Sequence, residues 1–204
     1  MYKKNKMDKL KKWLPLIIIV LVVLWGYSTF KGFNNTAVEY QEDAKTAWSN
    51  VESSYQRRAD LIPNLVNTVK GYASHESETL EAVIQARAAA TSTKIDPSNL
   101  TPENMAAYQK AQQGLSGALG RLMVVSEKYP DLKANQNFLE LQSQLEGTEN
   151  RINVERNRFN GLVNTYNKFI KIFPNSLFAG MLNFDEMSRF KSAVGSEKAP
   201  EVKF

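Results

Sequence analysis

One histidine, His75, and no cysteine occur in the 204 residues, which narrows the available chemistry at once. Without cysteine there is no disulfide framework, thiolate nucleophile, cysteine-ligated zinc or iron–sulfur cluster, or lipid-bearing cysteine. A di-iron helical site would need Glu-x-x-His on each of two helices, but position 72 is Tyr72 and no second histidine exists. Carboxylates are the remaining candidates, and Glu76, Glu78, Glu81, Glu146, Glu149 and Glu155 could in principle supply a metal site or an acid/base pair. Spread along helical sequence, they read as solvated faces. There is no HExxH, no Gly-rich phosphate loop behind a strand, and no Ser/His/Asp order in loop context. No catalytic, cofactor-binding or metal residue is assigned, and the chain reads as a non-enzyme.

Two polar features stand apart from this background. Glu155 falls on an otherwise apolar helical seam, where a buried carboxylate needs a partner such as Arg87 or Arg151. The alternative is a wet seam edge with the aliphatic stem covering its neighbours. The second feature is a set of long polar side chains, Arg57, Arg58, Asp60, Asn64, Asn135 and Asn137. Arginine forks and amides at one end of a rigid helical body suit recognition of a carboxylate-bearing or extended partner. The same residues could merely cap helices and shield a corner.

The elements that would position them begin with a membrane anchor. Trp13–Phe30, WLPLIIIVLVVLWGYSTF, is free of charge and as a helix spans about 27 Å, close to a hydrocarbon core of about 30 Å. Trp13, Trp25 and Tyr27 lie near its ends as interfacial rings, and Pro15 is expected in its first turn. No small-x-small cleavage site follows, so an uncleaved anchor is expected rather than a signal peptide. Six lysines against Asp8 give residues 1–12 a charge of +5, while the rest holds 20 basic and 20 acidic residues of totals of 26 and 21. The basic excess therefore sets orientation, with residues 1–12 as a cytoplasmic tail. The body lacks the basic surface that nucleic acid requires.

Beyond the anchor the apolar period is helical. Phe138, Leu141, Leu145, Thr148, Ile152, Glu155, Phe159, Leu162, Tyr166, Phe169 and Phe173 alternate three- and four-residue steps, predicting a helix from about 135 to 173. Tyr108 to Tyr129 gives another, started by Thr101-Pro102-Glu103 and stopped by Pro130. Two earlier helices run through Tyr40–Tyr55 and Ile62–Val83. A turn at 56–60 is expected between them, Asp60 capping the second, with a kinked continuous helix as the alternative. The fold class is thus all-α: an N-terminal transmembrane helix (13–30), an antiparallel four-helix bundle with long helices (31–187) and a flexible tail (188–204). Up-and-down topology then places the 56–60 and 129–137 corners together at the membrane-distal tip, and the loop 91–101 and residues 174 onward near the bilayer. Leu177, Phe178, Met181, Leu182 and Phe184 are expected to face the last long helix or the bundle end, or else the membrane.

Two long strings, NVESSYQRRADLIPNLVNTVKGYASHE and GRLMVVSEKYPDLKANQNFLELQSQLEGTENRINVERNRFN, resemble the LemA family of bacterial membrane proteins. The resemblance implies a single anchor, a soluble four-helix domain and no established biochemical activity, with some relatives associated with other membrane proteins. A bacterial inner-membrane location, with the bundle in the periplasm or outside the cell, follows as the expectation. The function expected is a membrane-tethered interaction module that binds an envelope protein. The alternative is a carrier of a small apolar ligand among the rings Phe159, Tyr166, Phe169 and Phe173. Oligomeric state is not legible.

Overall fold

The apolar run and the amphipathic segment after it fold as one helix. In the computed structural model, which describes residues 4–191 with side chains from residue 13 onward, α1 runs uninterrupted over Lys4–Tyr72, 69 residues, or about 100 Å. Pro15 therefore lies inside the helix rather than in a first turn. Side chains from Trp13 to Tyr27 find nothing to pack against in the chain, and this part of α1 is long and apolar enough to cross a membrane.

The turn expected at 56–60 does not form; the continuous alternative does. Pro63 lacks the N–H that would bond to the Ala59 carbonyl, yet that carbonyl is not left empty, because Arg87 Nε donates to it at 2.8 Å. The chain reverses instead at 73–76, where Ala73 N–H closes the last turn on Val69 O at 2.8 Å and Glu76 N–H returns to Ala73 O at 3.1 Å. Helix α2 follows at Ser77–Ser92 and α3 at Pro102–Ser126. The start of α3 is as expected: Thr101 Oγ1 accepts from Asn104 N–H at 3.2 Å, with proline behind it. A single turn, α4 (Pro130–Lys133), buries Leu132, and α5 occupies Gln136–Lys171. Asn135 caps α5, its Oδ1 accepting from Phe138 N–H at 3.0 Å. Helix α6 (Asn175–Leu182) ends on Asn183, whose left-handed φ of 56° asparagine tolerates well. Among the described residues there is no strand.

The principal packing partners are α1 with α5 and α2 with α3. Phe33 stacks on Phe169 at 5.5 Å, Trp48 meets Phe159 at 5.4 Å and Arg58 reaches Glu149, so α5 descends as α1 rises. Helix α3 rises with α1, since Trp48 touches Tyr108 and Arg58 bonds to Gln112. Two apolar cores result. The anchor-side core holds Phe33, Trp48, Val51, Phe159, Tyr166 and Phe190, and the distal core holds Ile62, Leu65, Leu115, Leu122, Leu132 and Phe138. The long seam of α5 feeds both, but Phe173 ends beyond the helix and is 76 % exposed.

Two placements differ from the sequence expectation. The loop after α2 does not descend to the anchor: Ile95 and Leu100 pack into the core around Trp48, about 27 Å up α1 from Phe30. Helix α2 is 16 residues, too short to go further. Its place alongside the lower part of α5 is taken by the C-terminal chain. Phe178 of α6 meets Phe30 and Phe33, while Leu177 and Met181 face outward. Residues 184–191 then climb α5, burying Met187 and Phe190. Packing thus continues past 187 to at least Phe190; positions 192–204 lie outside the described residues.

Candidate functional site

Arg58 sits on the inward face of α1 at a seam position, following Val51 and Tyr55 and preceding Ile62 and Leu65 at three- and four-residue steps. It is 3 % exposed. A guanidinium in such a place needs its donors satisfied, and here both Nη groups find partners while the buried Nε has none. Its Nη1 donates to Ser116 Oγ and to Glu149 Oε2, both at 2.9 Å, and Nη2 donates to Gln112 Oε1 at 2.9 Å. Gln112 Nε2 in turn donates to the Ala90 carbonyl at 3.2 Å. The Tyr55 ring lies 5.0 Å from Arg58 Cζ, within cation–π reach. One polar layer therefore ties α1, α2, α3 and α5 together, and it falls between the two apolar cores.

The electrostatics around the layer favour neutral hydroxyls. Burial pushes the Tyr108 phenol well above its ordinary range, with Tyr55 and Glu52 adding to it. Tyr55 is raised by burial against the opposing pull of Arg156 and Arg58. Burial also raises the Glu52 carboxyl, opposed by the Trp48 indole and by Lys94. Ser116 bonds to a cation and not to a base, so nothing in this layer activates it as a nucleophile. What the arrangement can do is fix the register of four helices, because sliding any of them by a turn strands the guanidinium.

Of the six residues read as a membrane-distal tip, only Asn135 and Asn137 lie at the distal corner. Asn135 is a cap and also donates through Nδ2 to Tyr72 Oη at 2.9 Å; Asn137 is exposed. Arg57, Arg58, Asp60 and Asn64 are carried on unbroken helix at least a full turn short of Tyr72, because the expected corner is not a corner. Asp60 caps nothing and accepts from Gln56 Nε2 at 2.7 Å, and Asn64 faces outward. Arg57, one residue from the buried Arg58 and so about 100° around the helix, is exposed and lines an open recess of about 550 Å³ with Glu52, Asp60 and Lys94. His75 lies in the 73–76 turn rather than on a helix surface. Among the described residues no three His, Asp or Glu side chains gather closely enough to hold a metal ion.

Glu155 is half-buried with Oε2 lacking a hydrogen-bond partner. Neither expected cation pairs with it: Arg87 serves Ala59, and Arg151 is exposed. Of the layer's other members, Gln112 and Ser116 were not singled out in the sequence, and Glu149 was read there as part of a solvated face, whereas it pairs with Arg58. Gln112 was detectable, since it interrupts the α3 seam between Tyr108 and Leu115 as Arg58 interrupts that of α1.

The sequence model of the LemA family matches residues 47–204, from the middle of α1 through the whole Arg58 layer. The chain belongs to the LemA family. Protein LemA of Metamycoplasma hominis is 22 % identical over 200 residues, covering 94 % of this chain and 88 % of the relative. Magnetosome protein MamQ 2 of Paramagnetospirillum magneticum is 28 % identical over 193 residues, 86 % of this chain and 71 % of its own length. MamQ of Magnetospirillum gryphiswaldense is 28 % identical over 194 residues, covering 87 % and 69 %. In this LemA-family chain the apolar stretch of α1 precedes the matched region, so anchor and family domain share one helix.

Proposed function

We propose that the protein is a non-enzymatic, membrane-tethered interaction module that presents a rigid helical body to an envelope protein. The observation that carries this reading is the continuity of α1, which passes without a break from the apolar segment into the domain. A body joined to its anchor by helix cannot flop on a linker, so its surfaces keep a set height above the bilayer. Tethering raises the effective concentration for weak contacts. The finer architecture that fits the packing is an antiparallel four-helix bundle of α1, α2, α3 and α5 in the distal half. The lysine-rich residues 1–12 support an orientation with the N-terminus in the cytoplasm and the body outside it, in the bacterial inner membrane. A reporter fused at Phe204 and active only in the cytoplasm would reverse that orientation.

The docking surface shifts from the tip to the flank, where Arg57 and Asp60 border the open recess beside Lys94. In-cell photocrosslinking from Arg57, Asn137 and Phe178 tests it. Capture of one envelope protein from Arg57 supports the flank; capture from Asn137 alone returns the site to the tip, and capture from Phe178 alone moves it to α6. Silence at all three removes the interaction reading. The carrier alternative rested on the α5 rings. Phe159 and Tyr166 are fully buried, Phe159 among Trp48 and Phe190, so packing accounts for both. Native mass spectrometry finding a bound lipid-like molecule would be needed to restore it.

A further inference from the structure

Helix α5 carries a second stripe beside its apolar seam: Asn153, Asn157, Asn160, Asn164 and Asn167, at steps of four and three. Two of these amides read main chain. Asn167 Nδ2 donates to Met187 O at 2.8 Å while its Oδ1 accepts from Met187 N–H at 3.0 Å. Asn160 does the same for Phe190, at 3.1 and 2.9 Å. Between them Asn164 Oδ1 accepts from Arg189 Nη1 at 3.1 Å. The spacing has a simple origin. Seven helical residues advance about 10.5 Å, and three residues of a chain extended in the threefold polyproline II manner advance about 9.3 Å and bring its backbone groups back to the same side. Amides one heptad apart on a helix therefore meet every third residue of such a chain, and here each pairs with both the N–H and the C=O of that residue.

Around this ladder lie pockets for side chains. Phe190 stacks on Trp48 at 5.7 Å, meets Phe159 edge-on at 5.6 Å, and lies 4.7 Å from Arg156 Cζ. Met187 is buried, and Glu186 pairs with Lys171 at 2.6 Å. The segment does not fill the space it enters. About 500 Å³ stays open between it and α3, bordered by Pro102, Met105 and Gln109.

We propose that this face of α5 is a docking groove for an extended segment of a partner protein with an acid, then an apolar residue, then an aromatic three positions further on, and that residues 186–190 occupy it as a built-in competitor. The inference deepens the interaction-module reading and rests on it. Backbone pairing through Asn160 and Asn167 gives sequence-tolerant affinity, the Trp48–Phe159 pocket selects the aromatic, and Lys171 selects the acid. Because the resident segment is tethered, an incoming one competes against a high effective concentration.

The test uses the full-length chain in nanodiscs and a fluorescent peptide with the sequence of residues 183–191, followed by anisotropy. Met187→Asp places a charge in the core cluster and is chosen to unseat the resident segment while leaving the sequence of α5 unchanged. That variant is expected to bind the peptide at least tenfold more tightly than wild type, and adding Asn160→Ala and Asn167→Ala is expected to remove the gain. A peptide with alanine at the Phe190 position is expected not to bind. No binding to a Met187→Asp chain of undiminished helicity overturns the proposal, as does equal binding of the alanine peptide. Exchange of segments between two differently tagged full-length copies would assign the groove to self-association and overturn the partner assignment. Should Met187→Asp lose helicity, excess peptide carrying benzophenone at the Phe190 position is applied to wild type. Crosslinks must then map to α1 near Trp48 or α5 near Phe159, and crosslinks elsewhere or none overturn the groove. These readouts need no cellular partner, so they can succeed or fail apart from the in-cell crosslinking.

Discussion

Arg87 Nε donates to the Ala59 carbonyl at 2.8 Å, the acceptor that Pro63, four residues on, has no N–H to reach. A side chain on α2 thus completes the backbone bonding of α1. Replacing Arg87 by Met should strand that carbonyl at a cost of about 1–3 kcal/mol. In a Pro63→Ala background the restored N–H takes the carbonyl, and the same Arg87 replacement should cost appreciably less. Chemical denaturation of the four chains in micelles measures the coupling; additive effects would mean that Arg87 and Pro63 are not linked in this way.

Neighbouring arginines should behave oppositely. Arg58→Met removes the donor shared by Gln112, Ser116 and Glu149 and should cost several kcal/mol, about 3–5 by the behaviour of broken buried ion pairs. Glu149 is about half exposed, which places the expectation at the lower end. Arg57→Met, on the outer face, should stay within about 0.5 kcal/mol. Thermal melts of the two variants decide whether the polar layer stabilises the fold, and equal melting temperatures would sink the idea.

How much of this was legible in the sequence depended on whether the cause was local. Thr101 caps α3 as expected, and Asn135 caps α5, the reading that competed with its place in the tip; both were legible because a cap is written within four residues. The seam of α5 was readable because its period persists over ten turns. The corner was misread because Asp60 and Pro63 form a good local helix start, while the residue that overrides it, Arg87, lies 28 positions from the Ala59 carbonyl it meets. The asparagine stripe was missed for another reason. It has the same three-four period as the seam, but in polar residues, and a search for apolar periodicity passes over it. Arg58 was noticed for its charge and misplaced; its position in an apolar series pointed to burial rather than to a tip.

The alkaline limb of stability should report Tyr166. Burial, with the Asp185 charge adding, pushes its phenol up to about 12, and its hydroxyl donates to the Asp185 carbonyl at 2.9 Å. The unfolded phenol titrates near 10. Between pH 10 and 12 the unfolded state therefore holds fewer protons than the folded one, so stability falls as pH rises through that window and is complete below it. Tyr166→Phe should lessen the slope of stability against pH between 10 and 12; an unchanged slope would assign the alkaline loss to Tyr55 and Tyr108 instead.

The rigid join between anchor and body depends on aromatic packing just beyond the apolar run. Phe33 is 4 % exposed, stacked on Phe169 and flanked by Phe178 and Phe184 at 5.5 and 5.7 Å. It joins α1, α5, α6 and the start of the ascending segment in one cluster. Phe33→Ala should cost about 3–5 kcal/mol and should loosen this end first, because the distal core shares none of these rings. Hydrogen exchange in nanodiscs separates local from global loss: amides of α6 and of residues 184–191 should exchange faster while those around Leu122 and Phe138 keep their protection. Trp25→Ala, two turns below and 70 % exposed within the chain, removes a ring that packs on nothing in the body and should leave both sets unchanged. Equal acceleration in both halves of the Phe33 variant would show that the two cores unfold as one unit, with the Arg58 layer joining them rather than dividing them.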